Sequence, residues 1–316
     1  MIRKLYCNVF LQNQLTVSLL HWCALRWRDI QISAKTLNQL FTIHGLSTGH
    51  YVPLAFFLLA NKHQTFYEGV LRHTLSEAAK LDVNVFPTIV YADFENAIHN
   101  AVITVWPGFV VKACRFNLGQ KWWRKIQSFG LSEQHGQKDY EVSQFLKKIF
   151  RLPLLPPAEV SDCFALDFIS KLPNDKRVEQ FFNYLLENCI DADSNFPPPV
   201  WSECSASSLR TINACDLFHA HCNELFCSAH SNIFVLVSAL QKTQNETYIK
   251  MRSVTTRRLK ISVTVKKEDF ISSNIGQYRA NLISRIEFVS TVSYKFLPNT
   301  LVVPYCLHLR CHLTFL

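Results

Sequence analysis

The sequence predicts a mixed α/β fold, and three observations carry that reading. Short apolar runs bounded by turn residues recur between about residues 39 and 116, amphipathic helical stretches alternate with them, and beyond residue 139 the helical period takes over alone. Strand, strand, helix, strand, helix, strand, helix is an order in which helices cover a sheet.

The first strand is Gln39-Leu40-Phe41-Thr42-Ile43-His44-Gly45 and the second runs from Tyr51 to Leu59, joined by a Gly-Leu-Ser-Thr-Gly-His stretch that suits a hairpin with a longer loop. Pro53 is expected at a strand start, because it has no N–H for a ladder. From Thr65 to Leu81, Phe66, Val70, Leu71, Leu75 and Ala78 fall at helical spacing. A buried strand, Pro87 to Ala92, ends on Asp93. Glu95 to Val105 is a helix, Val110 to Phe116 a strand, and Leu118 to Phe129 a helix. Tyr140 to Phe150, Ala158 to Leu172 and Lys176 to Asn188 are helical, punctuated by Pro153, Pro156-Pro157 and Pro173. Asn213 to Phe226 and Ser231 to Met251 follow as helices. Residues 1 to 30, rich in Leu, Trp and Gln, show no sustained period of either kind.

Composition bounds the function. A hydrophobic share of 48% against 18% charged residues is that of a chain that buries a core, which excludes a disordered class. Eleven cysteines at irregular spacings read as reduced thiols, without a small disulfide framework. No apolar run of 18 residues is present, so no membrane span is expected, and Asn8, Gln12, Asn13 and Gln14 break the segment that superficially resembles a signal peptide.

The net charge of +9 favours a polyanionic partner. Between Lys250 and Lys267 there are seven basic residues and no acid: Lys250, Arg252, Arg257, Arg258, Lys260, Lys266 and Lys267. Either they are a solvated face, or they contact phosphates, with Arg257, Arg258, Lys260, Lys266 and Lys267 as the nucleic-acid-binding candidates.

Asp93 has two readings. Acids at the C-terminal end of a buried strand are where α/β proteins present ligands or metals. An Asp just before a helix is equally a favoured N-cap. Asp216 stands in Arg210-Thr211-Ile212-Asn213-Ala214-Cys215-Asp216-Leu217-Phe218-His219, close to His221, Cys222, Cys227 and His230, where buried thiols and exposed histidines explain the composition better than a zinc site. No phosphate-binding glycine loop, Gly-x-Ser-x-Gly elbow or His-Glu-x-x-His is present.

In their order and separations, several segments resemble the transposase domain of Mutator-like elements (MULE). They are Gln39 to Gly45, Val52 to Leu59, Ala92-Asp93-Phe94-Glu95-Asn96-Ala97, Cys114-Arg115-Phe116-Asn117, Gly119 to Gln127, Arg210 to His219, and the tail around Gly276 to Arg279 and Tyr294 to Pro298. The resemblance spans about residues 33 to 298. It implies an RNase H-like mixed sheet flanked by helices, with an all-helical insertion at about 139–190. The implied division is an unmatched segment 1–32, a transposase domain 33–251 and a basic tail 252–316.

It also implies an Asp, Asp, Glu triad holding two Mg²⁺ ions for phosphodiester cleavage and strand transfer. Asp93 matches the second acid and Asp216 the third, as the catalytic and metal-ligating residues. DNA is the implied partner, a homo-oligomer is left open, and the implied location is nuclear. The departures are specific. Counting back to the family's first Asp lands on Trp27, and the nearest acid, Asp29, lacks the Gly-Thr-Phe that follows it in the family. Asp216 replaces a Glu, Ile212 replaces an Asn, and Asn117 replaces the His of a Cys-x-x-His. They imply a degenerate or truncated transposase with impaired cleavage, or an inactive derivative that binds DNA or protein.

Overall fold

A computed structural model describes residues 22–29, 39–47, 50–80, 82, 87, 89–136, 141–207, 233–253 and 262–294. The chain divides into two compact units. Of the described residues, one unit holds those up to Leu118 together with 233–253, and the other holds Gly119–Ser207 with 262–294.

The first unit is built on a five-stranded sheet: β1 (Trp22–Asp29), β2 (Gln39–Ser47), β3 (His50–Leu59), β4 (Ile89–Ala92) and β5 (Val110–Ala113), in the spatial order β3-β2-β1-β4-β5. β1 and β2 pair antiparallel, as do β2 and β3, whereas β1–β4 and β4–β5 are parallel. The sheet is therefore mixed, as the sequence predicts. Its central strand, β1, comes from the segment in which the sequence shows no period. The reason is compositional: in Trp-Cys-Ala-Leu-Arg-Trp-Arg-Asp both alternating sets begin apolar, and charge enters only in the second half, so neither a clean period of two nor an unbroken apolar run results.

The β2–β3 hairpin is tighter than expected. Ser47 pairs with His50, leaving only residues 48 and 49 between the strands. Pro53 lies inside β3, not at its start. The register slips there, with Ile43 opposite Ala55 and His44 opposite Pro53, so the missing N–H falls at a bulge on an edge strand, where a ladder tolerates it.

Two helices cover one face of the sheet: α1 (Gln64–Ala79) and α2 (Asn96–Val105). Tyr67, Val70 and Leu71 of α1 and Ile98, Ala101 and Val102 of α2 close over Phe41, Ile43, Phe57, Leu59, Val90 and Ala92, with Trp106 completing the core. Each large side chain buried here contributes about 1.5–3 kcal/mol. Long α9 (Ile233–Ser253) packs against β3 and buries Leu236 and Leu240.

α3 (Arg115–Ser128) starts directly after β5, and Gly130 at φ 69° turns the chain out of its far end. The second unit's described elements are all helical: α4 (Ser132–Gly136), α5 (Glu141–Ile149), α6 (Pro157–Asp162), α7 (Lys176–Leu185), α8 (Pro198–Trp201), α10 (Ser262–Arg279) and α11 (Arg285–Tyr294). The stretch predicted as one helix from Ala158 to Leu172 changes hydrogen bonding along its length, passing from α6 through a π turn at Cys163–Phe168 to a 3₁₀ turn at Ile169–Lys171. Aromatic rings fill this core: Phe164 stacks on Phe182 at 3.8 Å, Phe145 meets Phe168 edge-on at 5.5 Å, and Trp122 meets Trp201 at 5.7 Å. Arg285 Nε bonds Asp167 Oδ2 at 2.7 Å and ties α11 to the π turn.

Candidate functional site

Asp93 leaves the sheet at the C-terminal end of β4, flanked by β1 on one side and β5 on the other. The ladder between β4 and β5 sets its surroundings. Ala92 pairs with Ala113, and Cys114 N–H then donates to Ala92 C=O at 2.9 Å. α3 starts at the next residue, its first turn closed by Leu118 N–H on Cys114 C=O at 3.1 Å. Asn117 sits in that turn and its Nδ2 donates to Asp93 Oδ1. The Asn117 Oδ1 is buried without a hydrogen-bond partner.

The N-cap reading of Asp93 is not what the backbone shows. α2 begins at Asn96, and the capping position is Glu95, in extended conformation and without a side-chain cap bond. Asp93 lies two residues earlier. Its carbonyl accepts from Glu95 N–H at 2.8 Å and from His99 Nε2 at 2.8 Å. Burial holds the His99 imidazole below its ordinary pKa, partly offset by that bond to Asp93, so a neutral ring protonated on Nε2 fits the geometry.

Glu95 accepts a 2.9 Å hydrogen bond from the Tyr67 hydroxyl. Burial, then the Glu95 carboxylate, and then Asp93 push the Tyr67 phenol well above its ordinary range, with Gln39 opposing, so it stays a donor. Tyr67, Asp93, Glu95, His99 and Asn117 thus form one polar patch at the end of β4. Only Asp93 and Asn117 were singled out by the sequence. The signal for Tyr67 and Glu95 was absent, because a tyrosine on a helical apolar face reads as core and a glutamate at a helix start reads as solvated.

On the other side of β4 the ladder with β1 stops just before Asp93. Trp22 pairs with Ile89, and the pairing continues to Leu25 with Ala92. The pairing goes no further, and Arg26 and Asp93 are the residues that follow its last pair. The single acid of β1, Asp29, is the strand's last residue and pairs with Gln39 on the opposite side. It lies three residues past Arg26, roughly 10 Å along the strand. Trp27, the position reached by counting back along the sequence, is two residues past the last β1–β4 pair.

Residues 33–121 match the model of the MULE transposase domain. The chain therefore carries a MULE transposase domain. No curated protein matches the chain. The MULE match covers β2 to the first half of α3, a shorter stretch than the resemblance read along the sequence, and it includes Asp93 and Asn117. Such a domain suggests a transposon-derived function, implies interaction with DNA, and belongs to a class that typically works with a divalent metal.

Of the remaining predicted site residues of this MULE protein, Asp216, Arg257, Arg258 and Lys260 lie outside the described residues, as does the Cys and His cluster at 215–230. Lys266 and Lys267 are on α10, the first exposed and the second half-buried, with Glu268 and Asp269 directly following them. Among the described residues, Cys114, Cys163 and Cys189 are buried and Cys204 is half-buried. Among the described residues no three His, Cys, Asp or Glu side chains assemble as a metal-binding group, and no helix is long and apolar enough to cross a membrane.

Two dications need several carboxylates between them, and the sequence of β1 holds one acid, Asp29, four residues past the Leu25–Ala92 pair.

Proposed function

We propose that this protein descends from a MULE transposase that cleaved and joined DNA at transposon ends, and that the reaction is impaired in this chain. The strand order, with an antiparallel β1–β3 meander continued by parallel β4 and β5, supports an RNase H-like core. A domain at 33–251 with a helical insertion at about 139–190 is consistent with it, since the described elements from Ser132 to Trp201 are helical. In the ancestral scheme Asp93 and Asp216 are the second and third acids, and Mg²⁺ is the metal they would have held. Arg257, Arg258, Lys260, Lys266 and Lys267 are the proposed phosphate contacts, and a nuclear location follows from a chromosomal DNA partner.

One observation carries the impairment: β1 holds a single acid, Asp29, four residues beyond the Leu25–Ala92 pair that Asp93 follows. It favours the second reading as well, in which the chain is an inactive, transposase-derived DNA-binding protein. The direct test incubates the purified chain with supercoiled and linear DNA and Mg²⁺ or Mn²⁺. Retention of DNA without nicking or strand transfer is expected. Metal-dependent nicking that disappears in Asp93→Ala would overturn the impairment and restore the enzyme.

A further inference from the structure

We infer that Asn117 and Asp93 form a structural joint between β4 and α3, in which the carboxylate serves as the fixed acceptor of the Asn117 amide and not as a metal ligand. The inference rests on the incomplete acid set proposed above, but its observation is a different one. Asn117 Nδ2 bonds Asp93 Oδ1 across 24 positions of sequence. The two residues lie where the β4–β5 ladder ends: Cys114 N–H still bonds Ala92 C=O, after which β4 opens toward α2 and β5 turns at once into α3. At that fork the backbone pairing is exhausted and the side-chain bond takes over. The fork is otherwise close-packed, since Ala92, Ala113, Cys114 and Leu118 are all buried.

The chemistry of the pair fits this role. An amide N–H given to a carboxylate is a charge-assisted bond and is stronger than one between neutral groups. A histidine at this position, as in the family pattern, would gain and lose a proton near neutral pH. An amide does not titrate in this range, so the donor at Asn117 is present whatever the pH. The Asp93 carbonyl is engaged by His99 and Glu95, so the residue is held from both α2 and α3. A carboxylate oxygen that accepts from an amide N–H has that lone pair directed away from a cation.

Thermal unfolding of the full chain tests the joint through a double-mutant cycle. Asn117→Ala and Asp93→Ala should each lower the midpoint, by roughly 3–6 °C for a chain of this size. The double variant should lie no lower than the worse single one, because both remove the same bond. Asp93→Asn should retain most of the midpoint, since its amide oxygen still accepts. If the alanine variants do not fold, an exchange decides: Asn117→Asp alone sets two carboxylates face to face and should lose stability, and combining it with Asp93→Asn should recover it with the roles reversed. Mn²⁺ at millimolar concentration should leave the wild-type midpoint where it is. Additive alanine losses, or an exchange that fails to recover, would overturn the joint and leave the loss of cleavage untouched. A Mn²⁺-induced rise abolished by Asp93→Asn would overturn the non-metal role itself.

Discussion

Tyr67, in the first half of α1, donates its hydroxyl to Glu95 Oε1 at 2.9 Å, and so fixes the residue that opens α2 against a fully buried ring. The ring packs against Phe41 of β2 at 5.1 Å, so one side chain links strand, helix and helix start. Tyr67→Phe keeps the ring and removes the donor. The expected cost is about 1–2 kcal/mol, because a partly buried carboxylate loses a partner. Burial and Glu95 raise the phenol's pKa in the folded chain. The folded phenol therefore keeps its proton when the unfolded one ionises, so the contribution is complete below pH ~10 and fades above it. Urea titration of both variants at neutral and alkaline pH measures this, and equal midpoints at neutral pH would show that the bond contributes nothing.

Acid should weaken the fold before any carboxylate titrates. Burial lowers His44 to about 3, and burial with nearby Lys147 lowers His135 to about 4, from an ordinary 6.5. Between those values the unfolded chain binds protons that the folded chain refuses. Stability therefore rises with pH across the window and is lost as pH falls from about 6.5, with a slope of up to about 1.4 kcal/mol per pH unit for each histidine. His44 is fully inside β2, its Nε2 3.0 Å from Thr42 Oγ1. His44→Gln should cost stability at pH 7.5 and flatten the decline between pH 6.5 and 5. An unchanged slope in urea titrations at several pH values would remove His44 from the explanation.

The elements that were legible share one feature, a local pattern that the tertiary structure does not override. β2 starts at the predicted Gln39 and β3 ends at the predicted Leu59, and α1 and α2 fall within two residues of their periodic stretches. α3 begins three residues earlier than the pattern suggests because Arg115 and Phe116, which read as strand, fold with Asn117 into its first turn. β1 was illegible for the opposite reason: it is specified by its neighbours on both sides, and Arg26, Arg28 and Asp29 interrupt its apolar sets. Of the site, Asp93 could be read from its place at a strand end. That Asn117 is its partner could not, since nothing local links residues 24 apart until the β4–β5 ladder is known.

Arg151 should be replaceable by an apolar residue. It is 8% exposed, its Nε is buried without a hydrogen-bond partner among the described residues, and burial pulls the guanidinium down to about 10. A buried cation without a compensating acid carries its desolvation cost unpaid, so Arg151→Met should leave stability unchanged or raise it by about 1–4 kcal/mol. Arg151→Ala should lose packing instead, which separates the charge from the volume it fills. Chemical denaturation of both variants reads the difference, and a loss of about 3 kcal/mol or more in Arg151→Met would mean that the charge is paired after all.

DNA affinity should depend on salt more through Arg257, Arg258 and Lys260 than through the two lysines of α10. Replacing Arg257, Arg258 and Lys260 together by Ala removes three positive charges from a stretch without acids. Each lost phosphate contact flattens the plot of log binding constant against log salt by about 0.9 on duplex DNA, so the slope should fall by up to roughly 2.7, equally for unrelated sequences. Lys266→Ala with Lys267→Ala should change it less, because Glu268 and Asp269 follow at once and offset the local charge. Fluorescence anisotropy with two unrelated duplexes between 50 and 200 mM salt, on the order of the range over which such slopes are resolved, measures all of these. Equal slopes for the wild type and the triple variant would make the run a solvated face, and a larger loss from the α10 pair would move the DNA contact to that helix.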